Sequence, residues 1–201
     1  MLKVETKRDE MVRSSIVDAA KKLFQQYGLT KTTMEDIARS IGRGKSSLYY
    51  YYPTKEDIFE AVVLNEKQSI IREIETAVDK SDSAEGKLRI FALTISNAVK
   101  KRIILFNIIR SELNDDLCLM KVFKKKYDTI EIDLLRNIID YGIKTGEFKE
   151  LNKEQLDDVT LISISMLRGL RLNLIDEEHS GKDISELVNF SIDLLIRALK
   201  K

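Results

Sequence analysis

The chain is poor in the residues that staple, break or metallate a fold: one cysteine, one proline, one histidine and no tryptophan in 201 residues. A single thiol, Cys118, rules out an intrachain disulfide, and nothing points to an oxidising compartment. Its apolar setting, LCLM, reads as a buried structural thiol and not a redox sensor. His179 stands in EEHSGKD, a solvated inter-helix loop by composition, so neither histidine-rich nor cysteine-based metal sites can be assembled. No metal and no cofactor are expected. No apolar run approaches the roughly 20 residues of a membrane span. The opening MLKVETKRDEM lacks the apolar core of a signal peptide, so a cytoplasmic location is expected. Gly42-Arg43-Gly44-Lys45-Ser46 resembles a piece of a phosphate-binding loop, but it lacks the leading glycine and the preceding strand. With no catalytic constellation left, the chain reads as a non-enzyme.

What is present suits a helical protein with a sizeable core: 43% hydrophobic and 33% charged residues. The net charge of +1 says nothing about partners, but its distribution does. Up to Lys55 there are 11 Lys/Arg against 6 Asp/Glu, whereas the remainder has 23 against 27. Basic residues therefore collect at the N-terminal end, as contact with phosphates would require.

That end carries the most informative stretch, TTMEDIARSIGRGKSSLYYYYPTKED, from Thr32 to Asp57. It reads as two short helices joined by a tight turn, then the start of a third. Ile37, Ala38, Ile41 and Leu48 are spaced to share one small buried patch. Thr32 and Thr33 precede the first helix, with Glu35 three residues after Thr32 as in a capping box. Gly42 stands where that helix must stop, since glycine tolerates positive φ. The next helix opens at Gly44-Lys45 and offers Lys45, Ser46, Ser47, Tyr49 and Tyr50, donors and flat rings with no acid among them. A helix lying in a DNA major groove is equipped in this way.

On TTMEDIA, Gly42, KSSLYYYY and Pro53-Thr54-Lys55-Glu56, the first 65 or so residues resemble the DNA-binding half of the tetracycline-repressor (TetR) family of bacterial one-component regulators. Beyond them the likeness is one of helix pattern. The resemblance implies a homodimer that binds palindromic double-stranded operator DNA and lets go when a small molecule enters its C-terminal domain. It also implies that Tyr49 is the groove-facing tyrosine, that Tyr50 and Tyr51 meet phosphates, and that Tyr52 packs beneath the helix. Thr33 would offer a hydroxyl or N–H to a phosphate, and Lys55, at the next helix start, would clamp another. Arg43 and Gly44 depart from the family pattern. Arg43 would add a phosphate contact, and Gly44 weakens the cap slightly.

The fold class expected is all-α with about nine helices. A three-helix, helix-turn-helix DNA-binding domain covers 1–55, and a helical effector-binding and dimerisation domain covers 56–201. A first helix from about Asp9 to Tyr27 repeats Ile16, Val17, Ala20, Leu23 and Phe24 at helical period and ends at Gly28. Arg13, near its start, could reach a phosphate. A long helix from Lys55 to about Asp79 should connect the two domains, so that a change at its far end could rotate the head. Five helices follow, beginning near Ala84, Ile103, Asp116, Asn152 and Asp183. In the last, Ile184, Leu187, Val188, Ser191, Leu194, Leu195 and Ala198 form one stripe, with Phe190, Ile196 and Leu199 off it. The penultimate helix has Leu156, Val159, Ile162, Met166 and Leu170 on one face, widened by Leu161, Ile164, Leu167 and Leu174. Helices apolar on more than one side must be buried on more than one side. Pairing with their copies through Met166, Leu170, Leu187, Phe190, Ser191, Leu194 and Leu195 would give a two-fold four-helix interface. An effector pocket could be lined by Phe91, Phe106, Met120, Phe123, Tyr127 and Met166. Arg110 and Arg168 could meet an anionic effector, or could pair with Glu112, Glu131 or Asp133. A rival to the ligand-responsive regulator keeps the same DNA head but uses the C-terminal domain to bind another protein, as a DNA-bound scaffold.

Overall fold

The computed structural model describes residues 7–102, 104–105, 107–108, 117–175 and 184–200, with side chains described outside 117–129, 172–175 and 184. Among these residues there are eight α-helices: α1 (Lys7–Tyr27), α2 (Met34–Ser40), α3 (Lys45–Tyr51), α4 (Lys55–Val78), α5 (Ala84–Lys101), α6 (Leu117–Lys144), α7 (Lys153–Ile175) and α8 (Ile184–Leu199). The all-α class is as expected. The ninth helix, placed from Ile103 to about Glu112, lies largely outside the described residues.

The chain forms two compact units. One comprises residues up to Gln68 with a short segment beginning at Asn107; the other begins at Ser69 and holds the rest. The division falls within α4.

In the first unit, Val12, Ile16, Val17, Ala20 and Phe24 recur at helical spacing along α1 and are buried. Ile37 and Ala38 of α2, Leu48 of α3, and Ile58, Phe59, Val62 and Val63 of α4 complete the core. The Phe24 and Phe59 rings meet edge to face, centroids 5.7 Å apart. Glu66 is buried too, but its carboxylate accepts from Lys21 Nζ at 2.5 Å, which keeps the charge paired. Gly28, with φ +82°, ends α1, and its N–H reaches the Phe24 carbonyl.

The capping box of α2 pairs Thr33 with Asp36, one residue later than the Thr32–Glu35 spacing in the sequence. Thr33 is the N-cap: its hydroxyl accepts from Asp36 N, while the Asp36 carboxylate accepts from Thr33 N. Thr32 is instead buried, its hydroxyl donated to the Gly28 carbonyl at 2.7 Å. The shift follows from chemistry, because a buried hydroxyl with a backbone partner is no longer available as a cap. At the other end Gly42 has φ +65°. The Gly42 and Arg43 N–H groups then close back onto the Arg39 and Ala38 carbonyls, a Schellman stop that sets the angle between α2 and α3. A second reciprocal box, Thr54 with Asp57, opens α4.

The second unit is built around α5, whose Leu88, Phe91, Ala92 and Ile95 are fully buried. They meet Ile70 and Ile74 of α4, Leu135 and Ile139 of α6, Ile164 and Leu167 of α7, and Val188, Ile192 and Leu195 of α8. The turn after α6 reaches back to this centre. Glu147 accepts from Ala84 N at 2.8 and 2.9 Å and from Glu85 N at 3.3 Å, capping α5 from across the fold. Phe148 is buried directly over Gly142, leaving no room there for a Cβ. Asn152 and Gln155 cap α7 reciprocally, as the position of Asn152 suggests. Arg89 bridges Glu85 and Asp193, and Lys200 also meets Glu85, tying α5 to α8.

Candidate nucleic-acid interface

Helix α3 is only seven residues long, so its stability must come from packing and not from propensity. Leu48 supplies that packing: it is fully buried, while α2 packs against both α1 and α3. The opposite surface of α3 is open. Lys45 and Ser46 are exposed, Ser47 is partly so, and Tyr49 and Tyr50 are 44% and 57% exposed. Gly44 occupies the N-cap without a side-chain hydrogen bond, and no acid stands in the first turn. Lys45 Nζ lies 6.0 Å from the Tyr49 ring centroid, so cation and ring form one continuous surface. Donors, hydroxyls and aromatic faces on one side of a short, rigidly held helix can read base edges and meet thymine methyls.

The four tyrosines divide by burial. Tyr49 and Tyr50 face out, whereas Tyr51 and Tyr52 are half-buried. Tyr51 donates its hydroxyl to Asp9 Oδ1 at 3.2 Å and meets Tyr50 edge-on at 5.0 Å. Its pKa is raised, first by loss of hydration and then by that bond to Asp9. Arg13 Nη1 donates to the Tyr51 carbonyl at 2.8 Å, and its guanidinium stands 5.1 Å from the Tyr52 ring centroid. The structure thus gives Arg13 a place beneath the C-terminal end of α3, where a cation favours the helix dipole, in contrast to the phosphate-reaching role drawn from sequence. Tyr52 packs there too. Asp9 and Arg13 were missed as supports of α3. Their only sequence signal is a shared face of α1 at i, i+4.

Two further candidates have internal partners. Thr33 is engaged in the α2 cap with both hydroxyl and N–H. Asp36, hydrogen-bonded first of all to that threonine, titrates below its usual range. Lys55 donates its ammonium to the Leu29 carbonyl at 2.8 Å, joining the start of α4 to the turn after α1. Arg43 is exposed, with its side chain in solvent beside the α2–α3 turn.

In the second unit, Phe91 is a fully buried core residue and Met166 is half-buried. Phe106, Met120, Phe123, Tyr127, Arg110 and Cys118 lie outside the described side chains. A groove of about 460 Å³ opens elsewhere in this unit, among Ile74, Val78, Lys87, Leu134, Ile138 and Tyr141, and neither Phe91 nor Met166 lines it. The interface candidates separate as well. Phe190 and Leu194 are 60% and 47% exposed, Leu161 and Ile162 are 56% and 66% exposed, and Met166, Leu170 and Leu187 are half-buried. Ser191 and Leu195, by contrast, belong to the unit's own interior. The buried stripe of α8 is Val188, Ser191, Ile192, Leu195, Ile196 and Leu199. Ile196 and Leu199 thus lie on it, not off it as their sequence positions suggest. A helix this apolar offers several plausible stripes, and only contact with α5 and α7 selects one.

Among the described residues no helix is long and apolar enough to cross a membrane. Residues 16–62 match the family model for bacterial regulatory proteins of the tetR family. Over 54 residues the chain is 41% identical to the biofilm operon icaADBC HTH-type negative transcriptional regulator IcaR of Staphylococcus epidermidis. That stretch is 27% of this chain and 29% of the relative, so less than a third of the curated relative's length is spanned. Among solved structures, a transcriptional regulator from Cytophaga hutchinsonii superposes with a TM-score of 0.74 at 28% identity, covering 92% of this chain and 97% of that one. FadR from Bacillus subtilis, solved with stearoyl-CoA, gives 0.72 at 20% identity over 92% and 98% of the two chains. The helix-turn-helix head thus resembles that of the tetR family of bacterial regulatory proteins, and the chain as a whole shares the all-α fold of solved transcriptional regulators.

Proposed function

We propose that the chain is a homodimeric repressor that binds a palindromic operator through α3 and is released by a small-molecule effector held in the second unit. The observation that carries the reading is the surface of α3. Lys45, Ser46, Tyr49 and Tyr50 stand in solvent on a helix anchored by fully buried Leu48, with no acid in its own first turn to repel phosphate. Arg43 extends the cationic edge. The exposed apolar side chains of α7 and α8 support pairing with a second copy, which would bring two heads to two half-sites. The stearoyl-CoA held by FadR and the negative regulation named for IcaR support the effector and the repressive sense.

Selection of duplexes from a random pool by the purified chain, at near-physiological salt, tests the reading. An inverted repeat is the expected outcome; no enrichment, or enrichment of a single half-site, refutes the dimeric operator. The scaffold alternative is favoured if the α7–α8 apolar patch stays exposed in the DNA-bound assembly and no small molecule releases the duplex.

A further inference from the structure

We propose that the groove formed by α4, α5 and α6 is the effector site, and that the effector is a small lipophilic monocation. This rests on the effector-responsive reading above and gives it a place and a ligand class.

The groove belongs wholly to the second unit. At about 460 Å³ it lies within the ~300–1,000 Å³ range of small-molecule sites. Its floor is apolar. Ile74 of α4 is fully buried and Ile138 of α6 nearly so, with Val78 and Leu134 half-buried beside them. Ile74 and Val78 stand one helical turn apart on α4, and Glu75 and Asp79 follow them at the same spacing. An apolar row and an acidic row of one helix therefore run side by side into the groove. Helix α6 adds Asn137 and Tyr141, again at i, i+4.

Three features make this groove favour a cation. Glu75 and Asp79 are exposed, and among the described residues their carboxylates stand in no ion pair. Helix α4 ends at Val78, so the negative end of its dipole lies at the same place. The chain's own cation is already drawn there: Lys87 Nζ donates to the Val78 carbonyl at 3.1 Å and stands 5.5 Å from the Tyr141 ring centroid. That ring is held by its hydroxyl, donated to the Asp82 carbonyl at 2.8 Å. Lys87 offsets one of the two carboxylates and leaves one net negative charge among the lining residues. A monocation restores neutrality, and an apolar body on it covers Ile74, Val78, Leu134 and Ile138. An anion would add to the charge already present. A bare metal ion would gain nothing from the floor, and no group of three or more His, Cys, Asp or Glu able to hold one occurs among the described residues.

Binding to the full chain is measured first, without DNA, for benzyltrimethylammonium and octylammonium chloride, with octanol and sodium octanoate as controls. At least one cation should bind and raise the melting temperature, less so as salt is added, while the controls do neither. Glu75→Gln combined with Asp79→Asn should weaken that binding on the order of tenfold, the worth of two exposed ion pairs. Asn137→Lys, which sets a competing ammonium on the groove, should weaken it too. All three positions are exposed, so both variants should melt close to wild type. The bound cation should then release the selected duplex from the wild type, and not from the Glu75/Asp79 variant at the same concentration. Equal binding of octanol, undiminished binding to both variants, no binding of either cation, or binding without release overturns the assignment. If octanol or octanoate releases the duplex instead, effector control stands without this groove, whereas release by none of the four removes both.

Discussion

Lys55 offers a sharp test of how the head meets DNA, because sequence and structure give it different work. Its ammonium donates to the Leu29 carbonyl at 2.8 Å in a partly buried setting. A hydrogen bond from a charged donor contributes about 1.5–3 kcal/mol, and partial exposure moves this one to the lower end. Lys55→Met should therefore cost about 1–1.5 kcal/mol of stability, measured by urea unfolding. Its effect on the salt dependence of DNA affinity should be small, since an internally engaged ammonium releases few counterions. Lys45 is the control. It is exposed at the first turn of α3 and has room to reach phosphate or base edges. Lys45→Met should leave stability within about 0.5 kcal/mol. It should also flatten the slope of log affinity against log salt by about 0.9, the value of one lost phosphate contact. Fluorescence anisotropy on a labelled duplex over a salt series reads both slopes. If Lys55→Met flattens the slope by nearly one unit with unchanged stability, Lys55 is a phosphate clamp and the reasoning from its Leu29 contact is wrong.

Other expectations concern the second unit. Glu147→Ala removes an acceptor shared by the Ala84 and Glu85 N–H groups and should cost about 1–3 kcal/mol in urea, with Glu147→Gln recovering part of the loss. Glu85, held below its ordinary 4.5 chiefly by hydrogen bonds from Lys200 and then Arg89, and Glu131, depressed by Arg171 and Arg168, make stability acid-sensitive. Groups with depressed folded pKa values contribute fully above the unfolded value, so stability should fall as pH drops below about 4.5; a melting temperature flat from about pH 6 to about pH 3 would contradict this. Ile162→Glu with Phe190→Glu places charges in the exposed apolar surface of α7 and α8 and should give monomers in sedimentation; an unchanged mass would put the dimer contact elsewhere.

Much of the head was legible because its signals are local. Gly28 and Gly42 stand where positive φ is required, and Ile16, Val17, Ala20 and Phe24 keep helical period, so both the α1 face and the turn before α3 follow from neighbours in sequence. Local pattern also placed Lys45, Tyr49 and Tyr50 on an open surface, because Leu48 leaves α3 only one way to pack. What tertiary structure alone decided were the partners that lie far apart along the chain. Arg13 beneath Tyr51, Lys55 on Leu29, Glu147 over the start of α5 and Arg171 on Glu131 are contacts between separate elements. Helical periodicity reports which side of a helix is buried, not what it is buried against. On α8, apolar around much of its circumference, even the side was undetermined until α5 and α7 took one stripe and left Phe190 and Leu194 outside.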